Sequence, residues 1–236
     1  MTPYLAVKGV TKRYGGLAVI NDVSMEVRDE ILGVIGPNGA GKTTLFGIMA
    51  GQIRCDEGAV ELLGREVTSA PAYARARMGL ARTFQVPRPF RGMSVEENLV
   101  VAGLLKERSV SRAQKRSAAL LETVNWRGDP RRRVEELGEI DLKRLEVARA
   151  VALDPRVLLL DEVFAGLTGP ETEEMITVVR GLREAVPSIV VVEHVMAVVR
   201  SLCSRLVVLD AGAVLVEGHV EEVLADRRTV ETYLGT

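Results

Sequence analysis

Gly36, Gly41, Lys42 and Thr43 satisfy the spacing GxxxxGK[ST] within "GPNGAGKTTL" at residues 36–45, and that spacing suits phosphate chemistry. Glycines let a loop wrap closely enough for backbone N–H groups to face phosphate oxygens, and the positive end of a following helix adds to the attraction. Lys42 then reaches the outer phosphates, while the Thr43 hydroxyl is a ligand for Mg2+. The apolar run "ILGVI" precedes the loop and the helix-like "KTTLFGIMAG" follows it, which is the context such a loop needs. An ordinary glycine-rich turn matches by chance in roughly one chain of this length in a hundred. Nucleotide binding is therefore the expectation.

Further candidates stand just beyond other apolar runs, where ligands bind in parallel α/β sheets. Asp161 and Glu162 end "VLLLDE", His194 ends "IVVVEH" and Gln85 ends "GLARTFQ". An Asp at this place holds a metal through water and an adjacent Glu polarises an attacking water, which makes hydrolysis chemically accessible. Taken singly, an acidic pair is more often a helix cap, and a lone His or Gln a satisfied loop residue. Their shared placement favours a common site.

These residues need strands to carry them. Short β-branched runs alternate with longer amphipathic stretches, as expected for an α/β fold with buried parallel strands. "YLAVKGV", "VINDVSMEV", "GAVELLG" and "GAVLVEG" read as antiparallel strands between Gly and Asn turns. From about Met93 to Ala148 strand signals stop and Glu, Lys, Arg, Leu and Ala dominate, which predicts a mainly helical insertion with "NWRGDPRRR" as its loop. No repeat or low-complexity segment interrupts this order.

Composition narrows the class. The 236 residues are 47% hydrophobic, enough for a real core, and a net charge of −1 supplies no broad attraction to a nucleic-acid backbone or an anionic bilayer. Cys55 and Cys203 lack CxxC or His-rich surroundings, so neither a disulfide framework nor a zinc site is expected and a reducing compartment, the cytoplasm, is. No apolar run approaches the ~20 residues that span a bilayer, and "MTPYLAVKG" lacks a signal-peptide core. Any membrane role must come through a partner. The absence of NKxD argues against a small GTPase.

Along nearly its whole length the chain resembles the ATP-binding subunit of an ATP-binding cassette transporter. The resemblance implies a P-loop NTPase (RecA-like) α/β core with an antiparallel β subdomain and a helical subdomain. It divides the chain into 1–92, with the β subdomain, Walker A and Q-loop; 93–148, the helical subdomain; and 149–236, with Walker B, D-loop and switch histidine. It implies ATP and Mg2+ as ligands. Gly36, Asn38, Gly39, Gly41, Lys42, Thr43 and Thr44 would contact the nucleotide, Tyr14 would stack on adenine, and Thr43, Gln85 and Asp161 would serve the metal. Glu162 would be the catalytic base, assisted by Gln85 and His194. "GLARTFQVPRPFRGMSVEENLVVAG", "AGLTGPETEEM", "VVVEHVM" and "EGHVEEVLADRRTVETYLG" are similar to branched-chain amino acid transporter subunits of the LivG type. That likeness implies an importer ATPase acting as a dimer on transmembrane permease subunits at the cytoplasmic face of the membrane. A periplasmic or extracellular solute-binding protein would take part indirectly, and no nucleic acid would.

One family pattern fails. The signature LSGGQ should precede "KRLEVARA", but Leu137, Gly138, Glu139, Ile140 and Asp141 occupy its positions and only the leucine is retained. In the family this segment presents a serine hydroxyl and glycine N–H groups to the γ-phosphate held by the opposite subunit. Glu139 and Ile140 bring charge and bulk there, which should weaken that contact. Thr168, Val163 and Asp29 also depart from the usual residues. The expected assembly is therefore a heterodimer with a second cassette subunit. The alternative is a nucleotide-binding regulatory or scaffold module with impaired hydrolysis.

Overall fold

The computed structural model describes residues 2–234; Met1, Gly235 and Thr236, at the ends of the first and third expected stretches, lie outside the described residues. In chain order the strands are β1 (Leu5–Tyr14), β2 (Leu17–Val27), β3 (Ile31–Ile35), β4 (Glu57–Leu62), β5 (Arg65–Glu66), β6 (Leu80–Arg82), β7 (Val157–Asp161), β8 (Ser188–Val192), β9 (Arg205–Asp210) and β10 (Ala213–His219). The helices are α1 (Lys42–Met49), α2 (Ala72–Met78), α3 (Val95–Gly103), α4 (Val110–Thr123), α5 (Glu139–Val151), α6 (Gly169–Gly181), α7 (Met196–Leu202), α8 (Val220–Ala225) and α9 (Arg227–Leu234).

Two sheets result. Four antiparallel strands run in the order β2-β1-β4-β5, and a second sheet runs β10-β9-β3-β8-β7-β6. Within the second, β9, β3, β8, β7 and β6 are parallel neighbours, while β10 folds back antiparallel on β9. Thus "GAVLVEG" is antiparallel as expected but extends the parallel sheet instead of joining the other three antiparallel runs.

The central strands read as unbroken apolar runs because both faces are covered. Every residue of β3, β7 and β8 is buried. Side chains alternate between faces with period two. Leu158 and Leu160 enter a core shared with Leu145 and Ala148 of α5 and Met175 and Val179 of α6. Val157 and Leu159 enter another, shared with Leu45 and Phe46 of α1 and with Leu5, Ile20 and Val60 of the antiparallel sheet. Gly33 stands in the middle of β3 for a steric reason: a Cβ there would lie 2.4 Å from Leu206 Cδ2 and 2.9 Å from Cys203 Sγ.

From Val95 to Val151 the described elements are helical, joined by a turn at 104–109 and by the loop of 124–138 with its single 3-10 turn. Ser94 starts α3 with a capping box, accepting from the Glu97 N–H at 3.2 Å while Glu97 accepts from the Ser94 N–H at 2.7 Å. Among the described residues no helix is long and apolar enough to cross a membrane.

Candidate functional site

The loop between β3 and α1 is built around glycine. A Cβ on Gly36 would lie 2.1 Å from the Leu209 carbonyl oxygen, and one on Gly41, whose φ is 99°, would lie 2.6 Å from the Val19 carbonyl oxygen. At the crest the opposite holds: Gly39 has nothing within 4 Å of a Cβ position, and Asn38, Gly39 and Thr43 are exposed, with Thr44 half-buried. Lys42 opens α1 and its ammonium donates to the Gly36 carbonyl at 2.7 Å and the Pro37 carbonyl at 2.9 Å, bracing the loop. No acidic side chain occupies the first turn of α1, so its positive end faces the loop unopposed. Burial pushes the Lys42 pKa down, and the nearby charges of Glu162 and Asp161 push it back up.

The strand ends converge as β7 and β8 lie side by side, with Asp161 in register with Val192. Asp161 is buried; its N–H donates to Thr83 Oγ1 at 3.1 Å and its Oδ2 accepts from Arg82 Nη2 at 2.6 Å. Glu162 sits at φ 48°, a left-handed conformation uncommon for a glutamate, and its N–H donates to the Val192 carbonyl at 3.0 Å. That turn sends its side chain to Gln85, whose Nε2 donates to Glu162 Oε2 at 2.6 Å. The Gln85 carbonyl oxygen, the atom of an amide that can ligate a metal, is the end left over.

His194 lies two residues past β8 and is exposed. Its backbone N–H donates to Glu193 Oε2 at 3.3 Å, and Glu193 Oε1 accepts from Phe164 N–H at 3.1 Å. Burial pushes the Glu193 carboxyl pKa up. Glu193 thus ties the His194 segment to the loop that follows Glu162. Tyr14 lies at the end of β1, paired with Leu17 of β2, the strand whose Val19 borders Gly41; it is exposed, with the Lys12 ammonium 5.4 Å from its ring centroid.

The Leu137 to Asp141 segment is more helical than a separate loop before "KRLEVARA" would be: α5 begins at Glu139, with Gly138 as its N-cap. Both acids of its first turn have cations on the same helix, Glu139 with Lys143 at 3.7 Å and Asp141 with Arg144 at 3.5 Å. Lys143 also donates to the Ala165 carbonyl, and Glu139 packs where a Cβ on Gly166 would fall, 2.5 Å from its Oε1. Thr168 and Asp29 are likewise employed: the Thr168 N–H and hydroxyl both donate to Glu171 Oε2, at 2.8 and 2.7 Å, and Asp29 accepts from Arg183 at 2.6 Å.

Arg82, Lys143 and Glu193 are contacts that sequence reasoning misses. Each touches or underlies the cluster through a partner distant in the chain, and no local spacing marks them. Weak signals exist for Arg82, three residues before Gln85 at the end of an apolar run, and for Glu193, which follows "IVVV" and adjoins His194.

The site's donor set fits Mg2+ that arrives with a nucleotide. Among the described residues no group of three or more His, Cys, Asp or Glu could hold a metal unaided. One carboxylate, one hydroxyl and one amide oxygen are hard donors of the kind Mg2+ accepts when phosphates supply the rest. A glycine loop at one strand end, facing an Asp-Glu pair at another on the same parallel sheet, defines a P-loop nucleoside-triphosphatase core.

The comparisons sharpen this class. The ABC transporter family model matches residues 20–165. The chain is 39% identical to the high-affinity branched-chain amino acid transport ATP-binding protein LivG of Salmonella typhimurium, over 99% of this chain and 98% of that protein. It is 34% identical to the lipopolysaccharide export system ATP-binding protein LptB of Acidithiobacillus ferridurans, over 100% of this chain and 98% of that protein. The crystal structure of the ADP conformation of an ATP-binding cassette of an ABC transporter superposes with TM-score 0.89 at 25% identity, covering 100% of both chains. The chain belongs to the ABC transporter family, as an ATP-binding cassette subunit.

Proposed function

We propose that this subunit binds ATP with Mg2+ and hydrolyses it to drive an importer of branched-chain or related amino acids. The observation that carries the reading is the meeting of Gln85 with Glu162, 2.6 Å apart, beside the loop braced by Lys42. The 39% identity to LivG, against 34% to the export subunit LptB, favours amino acid import. Backbone N–H groups of the Gly36 to Thr44 segment cradle the phosphates, with Asn38 and Gly39 at the open crest, and Lys42 turns from the Gly36 and Pro37 carbonyls to the outer phosphate oxygens. Tyr14 stacks on adenine. Mg2+, when bound, neutralises charge on the outer phosphates, and Thr43, Asp161 and Gln85 are the residues that serve it. Glu162, freed from Gln85, orients and polarises the attacking water, and His194 senses the γ-phosphate.

In this reading the cassette works on transmembrane permease subunits at the cytoplasmic face of the membrane, fed indirectly by a solute-binding protein, and pairs with a second cassette. Stretches 1–92, 93–148 and 149–236 act as β-plus-core, helical and core units. The acidic first turn of α5 favours a second reading, a regulatory nucleotide-binding module with impaired turnover. The test is the complex with its permease subunits in liposomes, assayed for ATP hydrolysis and amino acid uptake. Lys42→Ala should weaken nucleotide affinity at least tenfold, whereas Glu162→Gln should keep binding and lose nearly all turnover and uptake. Equal loss of binding in both would refute this division of roles, and nucleotide binding without turnover or uptake would favour the regulatory module.

A further inference from the structure

Asp161 already has a cation. Arg82 ends the edge strand β6 and reaches past its register partner Leu159 to place Nη2 2.6 Å from Asp161 Oδ2. The pair is withdrawn from water, with side-chain exposures of 10% and 6%. The guanidinium is not a loose surface group. Nη1 donates to Gln52 Oε1, and the guanidinium carbon lies 5.9 Å from the Phe46 ring centroid and 5.7 Å from that of Phe84. Its Nε is buried without a partner, so the two outer nitrogens fix its position.

A charge count shows what this does. Asp161 and Glu162 face Lys42 and Arg82, and Glu193 and Lys143 behind Glu162 add one more of each sign, so the charges balance with no phosphate present. A carboxylate paired with a guanidinium in a poorly solvated pocket is a weak attractor for another cation. Phosphates change the balance, because they bring negative charge and engage Lys42. Without Arg82, Asp161 would be a buried anion open to any divalent ion.

We propose that Arg82 is a positioning residue that holds Asp161 paired until phosphate arrives, so that the carboxylate accepts a divalent cation only together with nucleotide. The inference rests on the nucleotide-site reading above. It adds a role for Arg82, whose guanidinium weakens the pull of Asp161 on a free metal ion.

The experiment is a titration of the purified full chain with Mn2+, followed by electron paramagnetic resonance, with and without ADP. Wild type should bind Mn2+ at least tenfold more tightly with ADP than without. Arg82→Gln should raise the nucleotide-free affinity about tenfold, while Arg82→Lys, which keeps the charge but not the planar fork, should fall between that variant and wild type. Binding of a fluorescent ADP analogue in EDTA shows whether each variant keeps its pocket. Should Arg82→Gln fail to fold, Arg82→Met, which keeps the stem packed on Phe46 and Phe84, takes its place: a nucleotide-free Mn2+ affinity no higher than wild type overturns the proposal. An unchanged or weaker nucleotide-free Mn2+ affinity in a folded Arg82→Gln also overturns it, leaving Arg82 a brace of the edge strand. Wild type that binds no nucleotide would instead refute the functional reading itself.

Discussion

Glu146 and Arg149, one turn apart on α5, show how a buried ion pair can serve the site from a distance. Arg149 donates to Glu146 at 3.0 Å and to the Arg88 carbonyl at 2.6 Å, and stacks 4.6 Å from the Phe90 ring centroid. The Arg88 N–H in turn reaches Glu146 at 3.4 Å. Together they pin the segment after Gln85 to the helix behind it. Burial raises the Glu146 carboxyl above its ordinary 4.5, even against Arg149. Above 4.5 the folded carboxyl therefore keeps a proton that the unfolded one has lost, so the folded state binds more protons and stability falls as pH rises through that interval. Glu146→Gln should remove this fall. Urea unfolding from pH 4 to 7 should show the wild-type stability dropping relative to the variant from about pH 4.5 upward. Parallel curves would contradict it.

At the scale of elements, α1 depends on α2. α1 carries the glycine loop at its start and has no basic residue in its last turn. Its C-terminal carbonyls are met by Arg75 of α2, which is almost fully buried and donates to the Ile48 and Met49 carbonyls, both at 2.7 Å, and to the Ala70 carbonyl at 3.0 Å. A cation at a helix C-terminus complements the dipole and satisfies end carbonyls such as that of Met49, while that of Ile48 also accepts from the Gly51 N–H at 3.1 Å. Arg75→Met should cost about 3 kcal/mol in denaturant unfolding, since it leaves buried carbonyls unpaired. Arg75→Lys should recover only part of this, because an ammonium lacks the planar fork that reaches several carbonyls at once. A loss below about 0.5 kcal/mol for the Met variant would mean that water replaces the cap.

For the whole molecule, the consequence of α5 lies at the assembly. A homodimer would set Glu139 and Asp141 of each copy toward the other's nucleotide. Their cation partners, Lys143 and Arg144, reduce that repulsion without removing it, since Glu139 stays 60% exposed. Glu162→Gln, which should trap bound ATP, is therefore expected to remain monomeric in light scattering with MgATP. In a heterodimer the same change should abolish most ATPase activity, and the equivalent change in the partner should cost less. A tight homodimer of this chain would overturn that asymmetry. Restoring Gly138→Ser is sterically open, since a Cβ there meets nothing within 4 Å.

What the sequence by itself determines is what short spacing can encode. The loop of Gly36, Gly41, Lys42 and Thr43 is legible because its residues are neighbours, and the strands that carry Asp161 and His194 are legible because unbroken apolar runs mark burial on both faces. The altered Leu137 to Asp141 segment is legible for the same reason. Only the tertiary structure decides which strand lies beside which, and hence that Gln85 meets Glu162, 77 positions away. It likewise pairs Arg82 with Asp161 across 79 positions and Arg75 with Ile48 across 27. An arginine in a short edge strand or helix looks like solvated surface in one dimension. It becomes a buried partner only when packing removes water and leaves a carboxylate or carbonyl as its sole source of hydrogen bonds.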